Sequence, residues 1–143
     1  MNKNSLFAYL ASFTFIVSFG LIALLGYWEF WPDNILTVQN AQELSVDKTI
    51  YSPGDRITYT LNYCKTRNMP GILLRALVDG FRMTYEPKGG NLPVGCHTIN
   101  VNDLEIPSFI PSGIYHLDMS AEYKINPLKS FIVNYRTVDF LIK

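Results

Sequence analysis

No Asp, Glu, Lys or Arg interrupts the 23 residues from Leu6 to Trp28, although the 143-residue chain carries 12 basic and 12 acidic side chains. That gap excludes an ordinary surface helix, which needs a polar face toward water. Cysteine and histidine are scarce too, with two of each. Cys64, Cys96, His97 and His116 are ligand types that zinc accepts, but no pair has the Cys-x-x-Cys or His-x-x-x-His spacing of a structural site, so neither a metal nor another cofactor is expected. There is no Gly-x-Ser-x-Gly elbow and no thiol beside a base, and Lys88-Gly89-Gly90 lacks the rest of a phosphate loop. Asp79, Glu86, Asp103 and Glu105 fall at turns and strand ends, where carboxylates are solvated, and an enzyme is not expected. Basic clusters are missing as well. The cations of Lys65 to Arg67 read as a solvated turn, and nucleic acid is not an expected partner, because phosphate binding needs a concentrated positive surface. The lack of internal repeats and heptads removes solenoids and coiled coils.

What is there begins with the uncharged run itself. At about 1.5 Å per residue it spans roughly 34 Å, against a hydrocarbon core of about 30 Å, so it can cross a bilayer as a helix. A cleaved signal peptide has an apolar core of about 7 to 15 residues and small residues at its cleavage site. This run is longer, and near Ala23 to Gly26 it places Leu24 where a small residue is wanted. The expectation is a retained signal anchor over residues 6–28, with residues 1–5 cytoplasmic. Lys3 precedes the run while Glu29 and Asp33 follow it, an asymmetry that puts the remainder outside the cytoplasm. Tyr27, Trp28 and Trp31 are the expected interface belt, and Pro32 the expected stop. The lipid bilayer is therefore the first expected partner. Residues 29–42 read as belt and linker, leaving 43–143 as a single small domain.

That domain has β composition: short segments rich in Tyr, Ile, Val, Thr and Phe, separated by Pro, Gly and Asn. Leu44 and Val46 alternate toward a turn at Pro53-Gly54-Asp55, where proline presets φ and glycine supplies the positive φ of a type II turn. Ile57, Tyr59, Leu61 and Tyr63 then share one face of a strand. Ile72 to Val78 reads as a strand buried on much of both faces, with Asp79-Gly80 closing a hairpin into Phe81 to Tyr85. Pro87 to Pro93 reads as a long polar loop. Gly95 to Ile106 resumes as a strand. Tyr115, Leu117, Met119, Ala121, Tyr123 and Ile125 alternate without a fault, as on a central strand with one wet face. From Phe131 to Ile142 the apolar phase changes, with Val138, Phe140 and Ile142 in the second phase and a bulge expected near Arg136 and Thr137.

Seven or so short antiparallel strands argue for an all-β sandwich. Pro111-Ser112-Gly113-Ile114-Tyr115 resembles the Pro-x-Gly-x-Tyr opening of the penultimate strand in bacterial and phage immunoglobulin-like domains, and Tyr51 to Ile57, with Pro53, Gly54 and Asp55, resembles the turn before their second strand. Gly95-Cys96-His97 and Asn126-Pro127 add a similarity to small anchored phage proteins. The resemblance implies an immunoglobulin-like antiparallel β-sandwich behind one N-terminal transmembrane helix. It covers turn geometry and implies no activity.

Cys64 and Cys96, both outside the cytoplasm by this topology, are expected to form a disulfide. The expected function is a membrane-anchored binding or structural module acting on a protein partner. Loops 65–70, 86–94 and 126–130 are its candidate contacts, and Arg67, Met69 and Tyr85 are candidate exposed residues at their rim. The alternative is an accessory subunit of a membrane complex or membrane-containing virion, with the helix as interface through Ala8, Ser12 and Gly20.

Overall fold

The structure, a computed structural model, describes residues 3–30 and 34–143, with side chains from Tyr9 onward. Trp31 and Pro32, expected at the membrane surface, lie outside the described residues. The chain divides into two compact units: Met1–Asp33 with Asn126–Lys129, and Asn34–Ile125 with Ser130–Lys143.

In the first unit, helix α1 runs Lys3–Glu29. Its segment Tyr9–Glu29 is long and apolar enough to cross a membrane, and none of it is buried by protein. Phe13, Phe15, Ile16, Phe19, Ile22 and Tyr27 are all exposed and Trp28 is half-buried, so the helix has no polar face on which water would be at home. No basic residue occupies its last turn. The terminal carbonyls are instead served from far along the chain: the Asn126 amide donates to the Trp28 carbonyl at 3.2 Å and Lys129 Nζ to that of Glu29 at 2.9 Å. This satisfies orphan acceptors and sets a cation at the negative end of the helix. Part of the 126–130 loop, expected as a partner contact, therefore caps the helix.

The second unit is all β, in two sheets. One has the order β1 (Leu36–Val38), β3 (Arg56–Lys65), β7 (Gly95–Glu105). The other runs β2 (Ile50–Tyr51), β10 (Phe140–Ile142), β8 (Gly113–Asn126), β4 (Gly71–Asp79), β5 (Phe81–Thr84), with β6 (Lys88–Gly90) paired to β4 and β9 (Lys129–Arg136) to β8. The β1–β3, β3–β7, β4–β5, β4–β6, β4–β8 and β8–β10 pairings are antiparallel, while β2 pairs in parallel with β10, which corrects the expectation of uniformly antiparallel strands. Inner faces of both sheets meet in one core built on Ile57, Tyr59, Leu61, Tyr63, Leu77, Tyr115, Leu117 and Phe140.

The alternation on β3 and β8 is as read from sequence, because each strand has one wet face and a period of two admits only one inward set. Elsewhere the boundaries move. Ile35 and Leu36 are core residues and β1 falls inside the expected linker, so the β unit starts at Asn34 rather than residue 43. Leu44 and Val46 make only isolated bridges, to Thr137 and Tyr59. The expected loop 87–93 contains β6. Strand β4 is buried on both faces only toward its C-terminal half: Ile72 and Leu74 are exposed, while Arg75, Ala76 and Leu77 are all buried.

Two irregularities shift the phase. Between the pairs Ile57↔Leu104 and Tyr59↔Val101, β7 holds one residue more than β3, a bulge that brings Leu104 inward after Ile99 and Val101. The second falls after Thr137, later than expected. Thr137 is buried, its backbone N–H donating to the Leu117 carbonyl at 3.1 Å and its Oγ1 accepting from the Leu117 N–H at 3.0 Å, so Val138 is turned out and Phe140 and Ile142 return inward.

The turn residues have identifiable work. Gly54 adopts φ 88°, and the Asp55 N–H donates to the Ser52 carbonyl at 2.9 Å, closing the turn around Pro53. At Gly113 a Cβ would run into an Asp79 carboxylate oxygen, which would have to swing away. The Tyr115 hydroxyl donates back to the Pro111 carbonyl at 2.9 Å, tying the entry of β8 to the corner before it.

Candidate functional site

The most built-up region of the β unit lies where β7, the edge of the smaller sheet, faces β6 and the start of β4. A cavity of about 200 Å³ opens there, walled by Leu61, Leu73, Ile99, Val101 and Ala121, with Tyr59, Tyr123 and Tyr135 beneath and Lys88, Asp103 and Asn91 among its polar residues. Its position follows from the topology. The smaller sheet stops at β7, so no further strand closes the gap between the layers on that side. Gly71 shapes one wall, since a Cβ there would meet the Tyr123 ring at 2.6 Å.

The charges here are cross-braced between the sheets. Arg75 continues the inward phase of Leu73 and Leu77 and is 7% exposed. Its Nη1 donates to Asp103 Oδ2 at 2.9 Å, and Lys88 Nζ donates to the same oxygen. The β7 bulge falls between Val101 and Leu104, and Asp103, within that bulge, meets this pair. Burial alone would raise the Asp103 carboxyl, but the hydrogen bonds from Lys88 and Arg75 outweigh it and hold its pKa below the usual carboxylate range. Asp103, expected as a solvated group, is exposed but also paired to two cations. The neighbouring tyrosines are pushed the other way. Burial raises Tyr59 and Tyr135, with Asp103 adding to the effect on Tyr59 and Arg75 opposing it, and burial pushes Tyr85 up to about 12.

A second polar centre adjoins the cavity. Lys65 is 1% exposed, although sequence reading placed it in a solvated turn. It continues the inward phase of Ile57, Tyr59, Leu61 and Tyr63, all odd-numbered, and that parity was the available signal. Its Nζ donates to the Met69 carbonyl at 2.7 Å, Asn91 Oδ1 at 2.7 Å and the Leu92 carbonyl at 3.0 Å, and lies 5.2 Å from the Tyr123 ring centroid. Asn91 in turn donates to Asn68 Oδ1 at 2.6 Å. One ammonium therefore ties the loop after β3 to the loop before β7. Desolvation lowers its pKa.

Cys64 and Cys96 are directly opposed on β3 and β7 and joined by a disulfide. It extends an outer-face ladder of Thr60–Asn100 and Asn62–Thr98 hydrogen bonds, at 3.0 and 2.7 Å. Arg67, Met69 and Tyr85 are not the exposed rim residues expected. All three are half-buried, Met69 and Tyr85 packing on the core and the Tyr85 hydroxyl donating to the Glu105 carbonyl at 3.2 Å. Among the described residues no group of three or more His, Cys, Asp and Glu converges as a metal site would require.

No protein-family model and no curated protein matches this chain. Among solved structures it is similar to the sporulation control protein Spo0M of Bacillus subtilis, at 13% identity with a TM-score of 0.34. That alignment covers 76% of this chain and 49% of the other, so the chain spans about half the length of Spo0M.

Proposed function

We propose that the β unit is an immunoglobulin-like sandwich on a retained membrane anchor, and that it works outside the cytoplasm by binding a protein partner rather than by catalysis. Support for the fold assignment comes from strand order. The run β1-β3-β7 corresponds to A-B-E and β10-β8-β4-β5 to G-F-C-C′. The Tyr115 hydroxyl bonded to the Pro111 carbonyl corresponds to the tyrosine corner at the start of strand F in that fold. The anchor reading is supported by the apolar helix, with Lys3 before it and Glu29 after it. The disulfide agrees with an oxidising compartment.

The observation that carries the functional reading is Lys65. A buried ammonium is costly, and here its three hydrogen bonds all go to two connecting segments, residues 65–70 and 86–94, which it holds in one arrangement. A preformed loop surface lowers the ordering cost of association, which is what a binding head needs. The test is crosslinking mass spectrometry on the full chain in native membranes without reductant. The expected result is crosslinks from residues 66–70 and 86–94 to one extracytoplasmic protein. Crosslinks confined to residues 6–30 would overturn the binding head in favour of a membrane-complex subunit with the helix as interface.

A further inference from the structure

Beside the loops, the inter-sheet cavity has an imbalance of its own. Around Asp103 two cations share one carboxylate, so the cluster carries one excess positive charge. Its donors are also in excess: the Tyr59 hydroxyl and Arg75 Nε are buried without a hydrogen-bond partner among the described residues. Tyr59 lines the cavity and is itself 1% exposed. Lys88 also lines it, with its side chain 58% exposed at the open side. An apolar chamber with surplus donors and a surplus cation is complementary to a molecule that brings an apolar body and an anionic acceptor.

We propose that this cavity binds a small monocarboxylate with an aromatic or branched apolar body, its carboxylate accepting from Lys88 Nζ and the Tyr59 hydroxyl. Size sets the upper limit. An apolar cavity of about 150 Å³ accommodates benzene, so the 200 Å³ here takes a body of roughly eight heavy atoms. A neutral hydrocarbon would leave the Tyr59 hydroxyl and the excess charge unanswered, and an amine would meet Lys88 and an Asp103 carboxylate already held by two cations. The proposal does not rest on the binding-head reading, although Lys88 also belongs to the segment 86–94.

The experiment is calorimetric titration of the full chain in nanodiscs with phenylacetate, and with phenylacetamide and phenethylamine as the neutral and cationic counterparts. Phenylacetate is expected to bind about tenfold tighter than the amide, with no binding of the amine. K88M should weaken phenylacetate about tenfold and Y59F about fivefold. Both variants should stay folded, since Lys88 is largely exposed and Y59F deletes a hydroxyl with no hydrogen-bond partner among the described residues; near-ultraviolet circular dichroism checks this. Three results each overturn the proposal: no phenylacetate binding up to about 5 mM, as expected if a second copy or a peptide strand fills the cleft; equal binding of acid and amide; or unchanged affinity in folded K88M and Y59F.

Discussion

Replacing Lys65 by methionine tests the central claim about the loops, because two large opposing effects meet at one atom. Keeping an ammonium at 1% exposure costs several kcal/mol of hydration even after relaxation. Against that stand three hydrogen bonds of 2.7, 2.7 and 3.0 Å, each of a charge-assisted kind that contributes about 1.5–3 kcal/mol. Methionine retains most of the stem volume and removes both effects, but it also strands the Met69 carbonyl, Asn91 Oδ1 and the Leu92 carbonyl. At about 1 kcal/mol for each partly hydrated acceptor, the expected loss is about 3 kcal/mol. For a β unit of about a hundred residues that is a fall in Tm of roughly 12 °C. Near-ultraviolet circular dichroism of the full chain in nanodiscs reads the melting, and amide hydrogen exchange should show protection lost first in residues 66–70 and 86–94. A methionine variant as stable as the parent, or more so, would refute the reasoning, because desolvation would then outweigh the three bonds.

Opening the disulfide with paired alanines, C64A with C96A, removes a cross-link between positions 32 residues apart, which should cost about 3–4 kcal/mol on chain-entropy grounds; thermal melts with and without reductant check it. G71A should destabilise by about 1–3 kcal/mol, since its methyl meets the Tyr123 ring at 2.6 Å and must displace it from Lys65; a melt of the same kind measures this. Tyr59, Tyr135 and Tyr51 have folded-state pKa values raised chiefly by burial, so above pH 10 the unfolded chain releases protons that the folded chain keeps. Stability should therefore fall as pH rises past 10, by about 1 kcal/mol per tyrosine at pH 11. Lys65, whose pKa is lowered by desolvation, acts with the other sign. At the acid end the depressed Asp103 contributes stability above the ordinary carboxylate pKa that is lost as pH falls through its folded value; urea titrations across the pH range follow both limbs.

Already legible in the order of residues were the apolar helix, the β character of the remainder, the inner faces of β3 and β8, the positive-φ glycine after Pro53 and the pairing of Cys64 with Cys96. All but the last are local properties, set by run length, by a period of two or by one residue's conformational range; the disulfide was legible because the chain has only two cysteines. Lys65 and Arg75 both fall in the buried phase of their strands, and a buried cation is tolerable only when partners distant in sequence meet it. Those partners, Asn91 and Leu92 for Lys65 and Asp103 for Arg75, become neighbours only when the two sheets stack. The β7 bulge, the phase shift after Thr137, the entry of residues 35–38 into the core and the capping of α1 by Asn126 and Lys129 likewise depend on strand register and chain return. Each of these depends on contacts between segments far apart in the chain, which no local pattern encodes.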